Sequence, residues 1–346
     1  MLKAVKRTVT TFNPVCIDYQ SLANLKNLDS EIEEGFGPQG LGIITVKNTP
    51  DYQAKRLALL TLARQLARLP SSELEKLELP QAGYSVGWSH GKEIFEGKPD
   101  FFKGSFYANP ETDTPGASSG MYHPNVWPKD SLPQLEYAFK DLGSLIIHVG
   151  GLVSQHIDKY IKQRVPSFKE KTIEKIISDS KSHVGRLLHY FPQENPNKDW
   201  CGWHNDHCNL TGLTCSLYQN FETGEVLTQN EYADENSGLF LRTRKGESLK
   251  VKVTSDLMVF QIGETSQILS GGWLQATPHA VMPVKDPKVS RSTFAVFMEP
   301  SPGFEIECPD SKGALIEHEG VPSLGQRWKP GMTFGDFHNS TISFFN

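Results

Sequence analysis

The sequence predicts a mainly β chain with helical additions, an α+β protein organised around an all-β sandwich or barrel core. Three observations lead there. Apolar residues at helical spacing are confined to the first half of the chain and its end. From His183 the texture changes to short β-prone runs, separated by glycine, proline, asparagine and aspartate at the spacing of an all-β sandwich or barrel. The 346 residues exceed a typical single domain, yet one large β core with helical decoration reaches that size.

In chain order, "DYQAKRLALLTLARQLARLPSSELEKL" carries apolar residues at helical intervals from Ala54 to Leu69. Pro70, Ser71 and Ser72 stop that helix before a second short one. A loop-rich stretch from Tyr84 to Gly120 follows, then a long helix from about Leu132 to Gln163 and another around Phe168 to Ser182. Strands are predicted in "HVGRLLHYFP", "LTGLTCSLYQ", "GLFLRT", "LKVKV", "LMVFQIG", "QILS", "WLQATPHAV" and "RSTFAVFMEP". The polar, acidic "NFETGEVLTQNEYADENSG" reads as a surface loop over one end of the barrel. The chain thus divides into a helical region with edge strands over 1–182, a catalytic core over 183–300 and a loop-rich tail with one terminal helix over 301–346, all one structural unit.

Composition removes several function classes. Lys and Arg number 35 against 40 Asp and Glu, with no block of like charge to hold nucleic acid. Five cysteines are too few and too scattered for a disulfide scaffold, and an odd count leaves one unpaired, which suits a reducing compartment. The N-terminal "MLKAVKRTVTTFNPVCIDYQ" lacks a signal-peptide core, and no run of roughly 18 apolar residues is present. The expectation is a soluble cytoplasmic monomer whose partner is a small molecule, not nucleic acid or membrane.

The chemistry concentrates in "WCGWHNDHCNLTGLTCSLYQN", residues 200 to 220. A His-x-Asp pair is weak by itself, and the chain has two: His156 with Asp158, and His204 with Asp206. On a helix, residues two apart diverge by about 200°, so the pair inside the long helix cannot share an ion. On a strand they face the same side, so His204 and Asp206 can. An iron(II) centre that must leave positions open needs two imidazoles and one carboxylate on one face of the ion. His279, at the end of "WLQATPHAV", is the natural third ligand from a distant strand. Arg291 and Thr293 share a strand face, and a guanidinium fork with a hydroxyl suits the far carboxylate of a dicarboxylic cosubstrate. His207 and Cys208 would close the open positions if they also ligated, so His207 is read as a supporting or loop residue. Cys201, Cys208 and Cys215 fit no zinc-finger or CxxC spacing and are read as strand thiols.

The chain resembles the isopenicillin N synthase-like family of 2-oxoglutarate and iron(II)-dependent oxygenases. "GFGPQGLGIITVKN" resembles that family's "GFF-V-NHG" strand, and "RLLHYFP" its "LRLNYYP". "GLFL" resembles "GLQV", and "VFQIGETSQILSGGWLQATPHAV" resembles "VVNIGDLLQILSNG-YKSVLHRV". "RSTFAVF" completes the series, in order from Gly35 to Pro300. The resemblance implies that the β core is a double-stranded β-helix, or jelly roll, with Fe(II) held by His204, Asp206 and His279, 2-oxoglutarate held by Arg291 and Thr293, O2 as oxidant and ascorbate as an optional reductant. It implies a dioxygenase that decarboxylates 2-oxoglutarate to succinate while oxidising an unactivated C–H bond by hydroxylation, desaturation or ring closure, as in specialised-metabolite biosynthesis. An amino-acid-derived, kainoid-type acid is one such substrate.

The chain departs from the family at "HYF". There His189 and Phe191 stand where an asparagine and a tyrosine commonly contact 2-oxoglutarate. Two readings of His189 follow: a replacement donor to 2-oxoglutarate, or a barrel residue bonded only to protein. Arg186, which on a regular strand points away from His189, is set aside as an anion anchor. Substrate contacts are placed by position at Ser105, Tyr107, Trp203, Asn205 and Phe297, with a core role the alternative for Phe297. Two rival functions stay open: an iron oxidase that dispenses with 2-oxoglutarate, favoured by the missing asparagine and tyrosine, and a barrel that binds a small molecule without turning it over.

Overall fold

A helix of 29 residues, Gln134–Lys162, lies across the outer face of a long mixed sheet, and the site is built between that sheet and a second, facing one. The structure is a computed structural model that describes residues 9–95, 98–115, 121–194, 199–228 and 234–345. The sheet runs in the order Val15–Asp18, Ile43–Lys47, Met258–Ile262, Leu210–Thr214, Val289–Met298, Val184–Tyr190, Lys103–Ala108, Gly87–His90. Leu217–Asn220 also pairs with Val289–Met298. A second sheet orders Thr11–Phe12, Ser248–Val251, Gly238–Arg242, His279–Met282, Cys201–His204. Two sheets with helices on one outer face make the jelly roll.

The outer face is closed by small residues. A Cβ on Gly212 would sit 2.2 Å from Ile146 Cγ2, and one on Gly150 would sit 2.4 Å from Met298 Sδ. Only glycine lets the helix come this close. Phe139 and Phe294 then meet edge to face at 4.7 Å, sealing helix to sheet. Because the helix covers one face and the barrel interior the other, Val289–Met298 is buried at nearly every position, which removes the polar alternation of a half-exposed strand.

Three predicted strands differ in the structure. "QILS" lies within a helix, Glu264–Leu269. Its opening amides are taken by the preceding turn, Glu264 N–H by the Asp206 carbonyl at 2.8 Å and Thr265 N–H by that of Cys208 at 3.2 Å. A short apolar run does not by itself distinguish helix from strand. "LTGLTCSLYQ" breaks into Leu210–Thr214 and Leu217–Asn220, because Arg56, from the helix Tyr52–Ala67, takes the carbonyls of Cys215 and Ser216, each at 2.6 Å. Of the cysteines expected on strands, Cys201 is on one, while Cys208 lies in the turn before Leu210 and Cys215 in this break. In "WLQATPHAV" the strand begins only at His279, since Pro278 has no N–H to offer a ladder. The acidic loop is irregular on either side of residues 229–233, which lie outside the described residues. The tail carries the short helices Ser311–Ala314 and Leu324–Arg327 before the terminal Phe334–Phe345. Among the described residues, no helix is long and apolar enough to cross a membrane.

Candidate metal and cosubstrate site

Residues opposed across an antiparallel ladder share a face, so register identifies which side chains look into the barrel. Along Val289–Met298, the set Arg291, Thr293, Ala295 and Phe297 opposes Tyr190, Leu188, Arg186 and Val184. Arg186, Leu188 and Tyr190 in turn oppose Tyr107, Ser105 and Lys103, while Phe297 opposes Thr211. The Thr211 hydroxyl donates to Asp206 Oδ2 at 2.7 Å, which marks this face as the one that meets the site.

In the facing sheet, His204 and His279 sit opposite each other on adjacent strands. Their Nε2 atoms each lie 3.8 Å from Asp206 Oδ1. One ligand atom from each of the three lies within 4.8 Å of the others. The other ring nitrogens are occupied on the far side, His204 Nδ1 by the Gly202 carbonyl at 2.8 Å and His279 Nδ1 by that of Thr277 at 3.3 Å. Such partners fix the tautomer that leaves Nε2 free to ligate. The Asp206 side chain is 7% exposed and that of His204 29%, so the group opens to one side.

Electrostatics suit an ion. Burial raises the Asp206 carboxyl, but His279, His204 and Thr211 outweigh it and hold the group below its ordinary value. Burial and the adjacent His204 push His279 down to about 4, leaving it a neutral ligand. Burial also disfavours charge on His204, yet Cys201, with Sγ 3.8 Å from Nδ1, and Asp206 lift it to about 9. A divalent ion in this place takes over the role of that proton. The donor set, two imidazoles and a carboxylate with room left over, fits iron(II).

Arg291 is 5% exposed, and among the described residues its Nε and Nη1 have no hydrogen-bond partner. Tyr190 underlies the guanidinium, 4.8 Å from ring centroid to Cζ. A buried cation with two free donors calls for an anion to pair with. Thr293 shares its face, though its hydroxyl donates to the Thr214 carbonyl at 3.1 Å.

The remaining predicted residues fall into two groups. Ser105, Tyr107 and Phe297 are on the inner face. Ser105 Oγ accepts from Arg186 Nε at 3.1 Å and Nη2 at 2.9 Å, and the Tyr107 hydroxyl donates to Glu93 at 2.9 Å. Glu93 also pairs with Arg186 and with Lys103. Burial pushes the Glu93 carboxyl up, but these two cations outweigh it and hold it down to about 2. Trp203 does not face the site. It lies one residue from His204 on the same strand, so it points outward, where the Arg242 guanidinium covers its ring at 4.1 Å. Asn205 is turned to a structural pair, its Nδ2 donating to Glu264 Oε1 at 3.1 Å, while Glu264 is clasped by Arg327 at 2.6 and 2.7 Å.

His189 is also misplaced by the sequence reading. It opposes Ser292, not Arg291 or Thr293, and its Nδ1 bonds Ser292 Oγ at 3.0 Å on the outer face. There it meets Phe191 at 5.1 Å and Phe221 at 5.9 Å. Burial first, then Arg64, push it down to about 3, so it is neutral. The positions that do look inward are Leu188 and Tyr190. Replacing His189 by Asn or Leu therefore leaves 2-oxoglutarate affinity unchanged, and Leu costs about 1 kcal/mol of stability from the lost Ser292 bond. Anaerobic cosubstrate titration and denaturant melts check the two halves.

Arg186, Tyr190 and Thr211 were missed as site residues, although strand alternation from Arg291 through its neighbours finds the first two once the register is known. Thr211→Val should weaken metal binding by roughly 10–100-fold, since it removes the hydroxyl that orients Asp206. Iron titration into the metal-free variant measures this. At the other His-x-Asp, His156 meets the Leu22 carbonyl at 3.3 Å and Asp158 accepts the amides of Ile173 and Glu174, so the two serve separate contacts.

Residues 185–300 match the model of the 2OG-Fe(II) oxygenase superfamily. No curated protein sequence matches the chain. Among solved structures, the chain is similar to a Caulobacter crescentus protein assigned to the 2OG-Fe(II) oxygenase family, at 20% identity and a TM-score of 0.72, covering 97% of this chain and 100% of that one. It is similar to a full-length Neurospora crassa protein solved in complex with alpha-KG and 5-formyluracil, at 19% identity and a TM-score of 0.67, over 98% of each chain. It is also similar to a rice dioxygenase for auxin oxidation, at 16% identity and a TM-score of 0.59, over 95% of each chain.

Proposed function

We propose that the chain is a 2-oxoglutarate-dependent dioxygenase that oxidises a C–H bond of a small molecule, a reading supported by the match of residues 185–300 to the 2OG-Fe(II) oxygenase superfamily model. The observation that carries this reading is Arg291, a buried guanidinium with two unpartnered nitrogens on the same inner face as Thr211, the partner of Asp206 in an intact His204, Asp206 and His279 group. Bound iron(II) and 2-oxoglutarate supply the oxidising chemistry, with O2 as the oxidant.

The protein's own part is positional. His204, Asp206 and His279 hold the metal from one side, with Gly202, Thr277 and Thr211 fixing their orientation. Arg291 would hold a distal carboxylate through its fork, and Thr293 would offer its hydroxyl in exchange for the bond to Thr214. Leu188, Ala295 and Phe297 give this face an apolar part beside the polar Arg186 and Tyr107, against which a substrate would lie.

The missing tyrosine that favours an oxidase has a counterpart on this face in Tyr190, and the free Nε and Nη1 of Arg291 suit the distal carboxylate of 2-oxoglutarate. The structural neighbours solved with 5-formyluracil or named for auxin oxidation illustrate a small-molecule range, and the Arg186 and Lys103 cluster favours a polar substrate here. Incubation of the iron-loaded protein with 2-oxoglutarate and a metabolite extract tests the proposal. Succinate release that rises with extract supports it; 2-oxoglutarate binding without release in any extract leaves the non-catalytic barrel.

A further inference from the structure

A second group of metal-ligating side chains lies outside the site just described. His207 follows Asp206 in the turn, Glu299 follows the last residue of the strand Val289–Met298, and His338 comes from the terminal helix Phe334–Phe345. One ligand atom from each lies within 4.8 Å of the other two. We propose that His207, Glu299 and His338 form a second divalent-metal site, which takes a zinc-class ion and clamps the terminal helix to the barrel.

Glu299 is 4% exposed, and among the described residues it pairs with no cation. The Tyr122 hydroxyl donates to its Oε2 at 2.7 Å, which is a single neutral donor for a buried carboxylate. An ion beside it would supply the charged partner that a buried carboxylate needs.

The imidazoles are arranged to converge. His207 Nε2 and His338 Nδ1 are 2.9 Å apart, a single hydrogen bond in the metal-free state. Ligands about 2.0–2.1 Å from a tetrahedral ion are separated by about 3.3 Å, so a few tenths of an ångström of opening admits one. Phe334 stacks on the His207 ring at 6.0 Å and Phe337 meets it edge-on at 6.1 Å, which holds the ring plane and gives the ion apolar surroundings. His207 and His338 are half-buried, so the site has a route to solvent. Two imidazoles and one carboxylate suit Zn(II) or Co(II), with water in the fourth position. The site shares no ligand with the iron triad. It does share the turn that carries Asp206, and the clamp therefore braces that turn from the side of the tail, beside the Arg327 and Glu264 pair.

Metal counting on protein stripped of metal, reloaded with Zn(II) and washed tests the proposal. Wild type should retain two ions per chain, His338→Phe one, and the pair of substitutions His204→Ala and His279→Ala one. With Co(II), the doubly substituted protein should show the visible absorption of a tetrahedral nitrogen and oxygen site, and adding His338→Phe should abolish it. One ion per chain in wild type, or an unchanged count in His338→Phe, overturns the site. Should the doubly substituted protein fail to fold, the comparison of wild type with His338→Phe still decides.

Discussion

His204→Ala, Asp206→Ala and His279→Ala each reduce succinate release from 2-oxoglutarate to background while the barrel stays folded. Each removes one of three protein ligands, and the two that remain do not fix an ion in a site that must also leave positions open. The fold does not depend on them, since the main apolar core lies between the long helix and the outer face of the long sheet, while His204 and His279 belong to the facing sheet and Asp206 to the turn after it. Far-ultraviolet circular dichroism of each variant should therefore match wild type. His156→Ala is the control. Its partner is the Leu22 carbonyl, so activity persists, and loss of activity there would point to the wrong His-x-Asp pair.

Arg291→Ala raises the half-saturating 2-oxoglutarate concentration by roughly two to three orders of magnitude. Removing one partner of a buried charge pair costs about 3–5 kcal/mol, and each 1.4 kcal/mol is about tenfold in affinity. Arg291→Lys keeps the charge and loses the planar fork, so it falls between. Thr293→Ala costs less, about 1.5 kcal/mol for a hydrogen bond to a charged group. Its hydroxyl is already bonded to Thr214, and that bond is exchanged when it turns to the carboxylate. Succinate release measured against cosubstrate concentration ranks the three variants.

What the sequence made legible follows strand parity. Arg291 with Thr293 was readable because residues two apart on a strand share a face, whereas the strand Cys201–His204 ends at His204 and Asp206 comes to the site from the turn that follows, held there by Thr211. The same rule undid two assignments. A one-residue phase error moves a whole strand's side chains to the opposite face, and aligning His189 with the family's asparagine made that error. In the structure Leu188 and Tyr190 hold the inner positions opposite Thr293 and Arg291, and His189 falls opposite Ser292 on the outer face. Trp203 was chosen for nearness to His204 in sequence, although odd separation sends it outward. Chain-distant contacts were not readable at all. His207 and His338 are 131 positions apart, and only the packing of the terminal helix brings them together. Nor was the helix Glu264–Leu269, whose first turn depends on carbonyls offered by Asp206 and Cys208.

The most direct test of the central claim is an anaerobic titration of 2-oxoglutarate into the iron(II)-loaded protein, following the metal-to-ligand absorption band of a chelated 2-oxo acid. The account predicts a saturable band in wild type, no band in Asp206→Ala, and a band in Arg291→Ala that needs far more 2-oxoglutarate to form. No band in iron-loaded wild type, or equal affinity in wild type and Arg291→Ala, would contradict the site described here.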